Sequence, residues 1–96
     1  MTIYERFAQF ESEFLKFEKV EGKRTNRADL HAFIVLDELL PDARGRDIVS
    51  GAEHDQICLN IDLVDLDNKA TDDHILELVR CGVFISSEYE CLSMFV

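Results

Sequence analysis

The 96-residue sequence predicts a single α+β domain, in which two N-terminal helices pack on a small, mostly antiparallel sheet. Three observations support this fold class. Large apolar residues recur at helical spacing near the N-terminus, a second apolar segment ends at Pro41, and one face of residues 57–64 is apolar at a period of two. The predicted order is α-α-β-β-α-β-β. It comprises a Phe-striped helix (1–22), a buried helix (26–40) and an acidic β-β-α-β-β unit (47–96).

The first predicted helix spans residues 3–20 and carries an apolar stripe. Its members follow one another at spacings of four, three, four and three residues: Ile3, Phe7, Phe10, Phe14 and Phe17. Thr2 and Glu5 form a capping-box pattern at its start, and Gly22 fits the residue that ends it. The stripe predicts a face that packs into the core. Because the same spacing fits a coiled-coil seam, a homodimer through Phe7, Phe10, Phe14 and Phe17 is the alternative.

The second predicted helix covers residues 26–40. Asn26 is a suitable N-cap with Asp29 in the first turn, and Pro41 ends the helix because proline disfavours helical geometry at the preceding residue. Apolar residues cover well over half of its circumference, which predicts a largely buried helix. These residues are Leu30, Phe33, Ile34, Leu36, Leu39 and Leu40.

The first predicted β-hairpin joins a weak strand over 47–52 to a stronger strand over 57–64. In the second strand the apolar residues Ile57, Leu59, Ile61 and Leu63 alternate with a mixed set, which gives one apolar and one mixed face. The polar residues 53–56 between the strands have the length of a hairpin turn.

A short helix over 72–81 follows. Thr71 is its expected N-cap, and Asp72 and Asp73 place carboxylates at the positive end of the helix dipole. Gly82 fits the position after the last helical residue.

The last predicted hairpin pairs strands over 83–85 and 89–96. Tyr89, Cys91 and Phe95 share one face of the second strand, and Leu92, Met94 and Val96 share the other. Since both faces contain apolar residues, we expect part of the outer surface of the sheet to be apolar, and either the Phe-striped helix or a partner to cover it.

The charge of the chain is concentrated in its second half. The net charge is −10. Residues 1–46 contain eight Lys and Arg against nine Asp and Glu, whereas residues 47–96 contain two against eleven, a net charge of −9. This asymmetry disfavours direct contact with nucleic acid, because phosphates repel carboxylates, and it favours a basic partner surface. The alternative is that the acidity serves solubility alone.

Six carboxylates fall within sixteen residues around the predicted strand, turn and helix: Asp62, Asp65, Asp67, Asp72, Asp73 and Glu77. Asp72 and Asp73 are partly explained as helix-start residues, and the other four have no local structural role that the sequence reveals. A calcium loop beginning at Asp65 fails because Lys69, Ala70 and Leu76 occupy positions that need a ligand, a glycine and a glutamate. We therefore expect the six residues to bind a partner protein, without a metal.

The three cysteines form an odd count without close spacing, which predicts free thiols and a reducing, cytoplasmic compartment. Cys58 and Cys91 become neighbours if their strands pair, but their spacing from the histidines is not typical of a zinc site. Cys81 lies at the helix end that disfavours a thiolate. With no glycine-rich phosphate loop and no activated nucleophile, we expect no catalytic residues, no metal, no cofactor and no enzymatic activity.

These observations together favour a small, acidic, non-enzymatic binding protein. The sharper hypothesis is an inhibitor or decoy that occupies a basic, nucleic-acid-binding surface of a partner such as a nuclease. It is an analogy, by class and charge, with the small acidic anti-defence proteins of phages and mobile elements. The alternatives are a self-associating structural or assembly subunit and an immunity or antitoxin protein. No apolar run has the length of a membrane helix, so a membrane is not an expected partner. The acidity makes direct binding of nucleic acid equally unexpected.

Overall fold

The computed structural model describes residues 1–95 and confirms the α+β class. In this part of the chain four helices accompany a four-stranded antiparallel sheet in the order β1-β2-β4-β3. The helices are α1 (Ile3–Ala8), α2 (Ala28–Leu39), α3 (Leu63–Lys69) and α4 (Asp72–Arg80), and the strands are β1 (Val49–Glu53), β2 (Gln56–Leu59), β3 (Val83–Ser86) and β4 (Cys91–Phe95).

The first helix begins as expected but is much shorter than predicted. Thr2 and Glu5 form the capping box, with Thr2 Oγ1 accepting the Glu5 N–H at 3.2 Å. The prediction of one helix over 3–20 is wrong, because α1 ends at Ala8 and two 3₁₀ turns follow. The Leu15 N–H donates to Val79 O at 3.2 Å, so the chain bends to follow α4.

The apolar stripe still packs into the core, although its members no longer lie on one helix. Phe7 is buried, and Phe10, Phe14 and Phe17 are partly buried against the core. The stripe therefore correctly predicts which side chains pack against the core. Self-association through the same residues stays a prediction.

The second helix lies close to its predicted position but starts differently. It begins at Ala28, with Arg27 at the N-cap and no side-chain capping bond, so the assignment of Asn26 as the cap is wrong. Instead, Thr25 Oγ1 accepts the Arg27 N–H at 3.3 Å and turns the chain into the helix. The helix ends at Leu39, ahead of Pro41, and it buries one side, since Leu30 is 44% exposed.

The predicted strand over 57–64 ends early, and a helix that was not predicted begins shortly after it. Strand β2 ends at Leu59, and α3 begins at Leu63. Leu66 is completely buried and Ala70 lies 6% exposed, so the spacing of three to four residues takes over from the alternation that precedes it.

Both predicted hairpins form, and β2 and β4 pair between them. Leu59 lies opposite Leu92, and Met94 lies between Ile57 and Val83 across the three strands. These side chains form the inner face of the sheet. They build one core with the buried side chains of the helices, among them Ile3, Phe7, Leu36, Leu66, Ile75 and Leu78.

The turn after α4 requires a glycine, and this gives a prediction. Gly82 has φ +95°, and a Cβ there would lie 2.6 Å from Leu15 Cδ2. We expect Gly82→Ala to lower the free energy of unfolding by about 2 kcal/mol, because an L-residue in this backbone region is strained. Urea denaturation followed by circular dichroism measures the effect. Gly51→Ala is the matched control, because nothing lies within 4 Å of a Cβ there. Equal effects of the two substitutions would contradict the prediction.

In residues 1–95, none of the helices has the length and apolar character that a membrane-crossing helix needs.

Candidate functional site

Asp62 and Asp65 lie at the start of α3, beside an open cleft. Asp62 is the N-cap, and its Oδ1 accepts the N–H groups of Val64 and Asp65 at 2.8 and 3.1 Å. Asp65 is exposed in the first turn. Both residues line a cleft of about 940 Å³ that also contains Arg44 and Arg46, so this surface carries charges of both signs.

Asp67 and Asp72 bind a single arginine from the N-terminal helix. The Arg6 guanidinium donates to Asp67 Oδ1 at 2.8 Å, Asp67 O at 2.9 Å, Ala70 O at 2.7 Å and Asp72 Oδ1 at 3.2 Å. The carboxylate of Asp67, followed by Asp72, raises the pKa of Arg6 above its ordinary value. Arg6 thus holds together α1 and the junction of α3 and α4.

Asp73 and Glu77 lie on α4 but in different surroundings. Asp73 is exposed in the first turn, where Thr71 caps the helix as predicted. Glu77 Oε1 lies 3.3 Å from Nε2 of the buried His31. The imidazole Nδ1 of His31 accepts the Arg24 N–H at 3.2 Å, whereas Nε2 makes no hydrogen bond to the described residues.

The structure therefore divides the six predicted binding carboxylates among different environments. The interpretation that Asp62, Asp67 and Glu77 lack a structural role is wrong, because they cap a helix, bind Arg6 and pack beside His31, respectively. Their role in binding a partner stays a prediction. The exposed members without a local contact to another element are Asp65 and Asp73.

The distinction between a structural and a surface carboxylate can be tested on α3. We expect Asp62→Ala to lower the free energy of unfolding by about 1 kcal/mol, because it removes the acceptor for two N–H groups. Asp65→Ala should change it by less than about 0.5 kcal/mol. Asp62→Asn is the control, since asparagine caps as well as aspartate. Chemical denaturation compares the three variants, and a Asp62→Asn variant as unstable as Asp62→Ala would contradict a capping role.

The cysteines differ from the prediction of three free thiols. Cys58 on β2 and Cys91 on β4 form a disulfide, with their Cα atoms 5.9 Å apart, because Cys58 lies opposite Ser93 in the paired strands. With this bond, the cysteine count no longer indicates a reducing compartment. Cys81 is free and buried at the C-cap of α4, and burial, then the charge of Glu77, raises the pKa of its thiol to about 12.

The extent of the outer face of the sheet depends on strand pairing, which local sequence patterns do not reveal. We define it by the side chains that alternate with the inner face: Gln56, Cys58, Phe84, Ser86, Cys91, Ser93 and Phe95. The ring centroids of Phe84 and Phe95 are 4.6 Å apart, and Phe14 packs edge-on against Phe84 at 6.1 Å. Phe95 is 61% exposed, so no element of residues 1–95 covers it. The alternation of Cys91 and Phe95 was the signal for this face.

The polar atoms of this face are largely satisfied within the sheet. Ser93 is completely buried between its neighbours, where Gln56 Nε2 donates to its hydroxyl at 3.1 Å and Cys91 Sγ lies 3.2 Å away. Of the side chains that define this face, Phe95 is exposed and the others are buried or partly buried. Among the residues that the structure describes, no group of three or more His, Cys, Asp and Glu side chains is arranged to hold a metal ion.

Comparison of the chain with protein-family models, curated proteins and solved structures found no match.

Proposed function

We propose that this chain is a small acidic binding protein that occupies a basic surface of a partner protein, such as one that otherwise contacts nucleic acid. One observation supports the proposal. Residues 47–95 contain eleven carboxylates, and within the described chain only Asp67 and Asp72 have a Lys or Arg partner within 4 Å, in both cases Arg6.

The remaining carboxylates of this half are not neutralised by ion pairs with Lys or Arg of residues 1–95. Arg80 is one of the two cations of this half. It binds Glu13 Oε1 at 2.7 Å, so its charge is paired with a carboxylate of residues 1–46. Uncompensated charges of one sign attract a basic surface over a distance and accelerate its association, and salt weakens this attraction. An inhibitor, a decoy and an immunity or antitoxin protein would share these electrostatics.

Affinity capture from a lysate at about 0.05 M and about 0.5 M salt tests the proposal. We expect a partner with a basic surface that is released at the higher salt concentration and that added duplex DNA displaces. An acidic partner, or capture that is insensitive to salt and DNA, would contradict it. Sedimentation of the purified chain separates a self-associating subunit, whose dimer would persist at both salt concentrations.

A charge-reversal variant should avoid residues that hold the fold together. Asp65→Lys with Asp73→Lys changes two exposed carboxylates without disturbing Arg6. If the carboxylates of α3 and α4 form the interface, this variant loses the partner. If the partner remains bound, another acidic surface carries the interaction.

A further inference from the structure

The outer face of the sheet combines the exposed ring of Phe95, which packs on the partly buried ring of Phe84, with an acidic border. The turns at its two ends contribute Glu53 and Asp55 on one side and Glu88 and Glu90 on the other. Residues 49–59 and 83–95, which form the whole sheet and both turns, contain no Lys or Arg. On this face Cys58 and Ser93 lie on the two central strands, Phe84 lies on the edge strand β3 and Phe95 lies at the end of β4. The carboxylates lie in the turns beyond the strand ends.

The acidic residues of both hairpins act on the same side chain. Tyr89 is 36% exposed, and partial burial, then the charges of Glu88 and Glu53, raises the pKa of its phenol.

This pattern selects among the possible occupants of the face. Nucleic acid and anionic membranes are repelled by the carboxylates. A second copy of this chain would bring identical acidic turns together, which like charges oppose. A protein segment with apolar side chains flanked by Lys and Arg satisfies both parts of the face, since aromatic residues are frequent anchors of interfaces and opposite charges at the rim direct association.

We propose that the outer face of the sheet, centred on Phe84 and Phe95, is the docking surface for a basic segment of a partner protein that carries apolar side chains. This inference rests on the proposed function and places the interface on the sheet, not on the six carboxylates of residues 62–77. The apolar side chains of the partner contact the aromatic rings, and its cationic groups lie near the acidic turns.

A pair of synthetic peptides can probe the surface. The first, of about 14 residues and about 21 Å long as a helix, contains Leu at helical spacing and Lys elsewhere. The second replaces every Leu by Ser and keeps the charge. Fluorescence anisotropy of the labelled peptides gives both affinities for the full chain. We expect the Leu-containing peptide to bind at least about tenfold more tightly.

Three variants of the chain separate the surfaces. Phe95→Ser should remove the preference for the Leu-containing peptide. Because Phe95 is largely exposed, this variant should keep its fold, which circular dichroism checks. Neutralising the turns by Glu53→Gln, Glu88→Gln and Glu90→Gln should lower the affinity of the chain for both peptides by at least about tenfold at low salt. The matched control removes the same charge elsewhere, by Asp37→Asn, Asp65→Asn and Asp73→Asn, and should weaken them less than about threefold.

The possible results distinguish the two proposals. If the control variant loses the peptides while the sheet variants retain them, the docking surface is wrong and the proposed function stands. If the unmodified chain binds neither peptide, both proposals fail. If the chain is a dimer that Phe95→Ser converts to monomers, the face is occupied by a second copy and the docking of a basic segment is overturned.

Discussion

Replacing Arg6 by alanine should lower the free energy of unfolding by about 3 kcal/mol, because charged hydrogen bonds to four acceptors disappear together. The Arg6 side chain is 14% exposed, and it contacts Asp67, Ala70 and Asp72. Its removal leaves two carbonyl groups without their donor and brings two carboxylates together without a cation. Urea denaturation monitored by circular dichroism measures the loss.

Two further variants make this expectation specific. Arg6→Lys should restore about half of the stability, because a single ammonium group cannot reach all four acceptors of the guanidinium. Arg24→Ala removes an arginine whose ion pair with Glu38 is more than half exposed on both sides, and it should change the stability by less than about 0.5 kcal/mol. If Arg6→Ala were as mild as Arg24→Ala, Arg6 would not hold α1 to α3 and α4.

Cys81 should react with a thiol reagent about a thousandfold more slowly in the folded protein than in the unfolded chain at pH 8. Burial and the charge of Glu77 raise the pKa of its thiol to about 12, so the reactive thiolate is scarce at this pH. An unfolded cysteine has a pKa of about 8.5 and is substantially ionised there. Spectrophotometric titration of the thiol, with and without guanidinium, measures both rates.

The number of reactive thiols is a second result of the same measurement. Without a reductant the unfolded chain should show one thiol per molecule, since Cys58 and Cys91 are bonded to each other. Glu77→Gln removes the smaller cause of the pKa shift, so most of the protection should remain. Comparable rates in folded and unfolded protein would contradict the burial of Cys81, and three thiols would contradict the disulfide.

Local sequence signals predicted the fold class and the elements whose ends depend on nearby residues. Thr71 precedes α4 as its N-cap and Gly82 follows its C-cap, as expected. Capping and a positive φ each depend on one or two positions, so local sequence is enough to predict them. The helix α3 was missed although Asp62 is a suitable cap. The apolar residues alternate over Ile57–Leu63, which predicted a continuous strand, although β2 ends at Leu59 and α3 begins at Leu63.

The features that could not be predicted depend on contacts between distant parts of the chain. The first helix is interrupted because Leu15 and Glu13 bind Val79 and Arg80, more than sixty residues away. The carboxylates of Asp67 and Asp72 form ion pairs with Arg6, and no local sequence pattern relates Arg6 to them.

The candidate interface differs from the one expected from the sequence for the same reason. Pairing of β2 with β4 joins Cys58 to Cys91 and completes the outer face of the sheet. A sequence pattern reveals which residues of one strand share a face, but it does not reveal which strands become neighbours. Counting charges therefore predicts the sign of a partner's charge but not the place on this chain where the partner would bind.

The most direct measurement is a map of the surface that a basic, apolar-bearing segment contacts. Backbone amide chemical shifts of the isotope-labelled chain would be recorded while the Leu- and Lys-containing peptide is added. We expect the largest changes in residues 53–58 and 84–95, with smaller changes in 62–77. Changes concentrated in 62–77 with an unaffected sheet, or no saturable change at low salt, would contradict binding at the outer face.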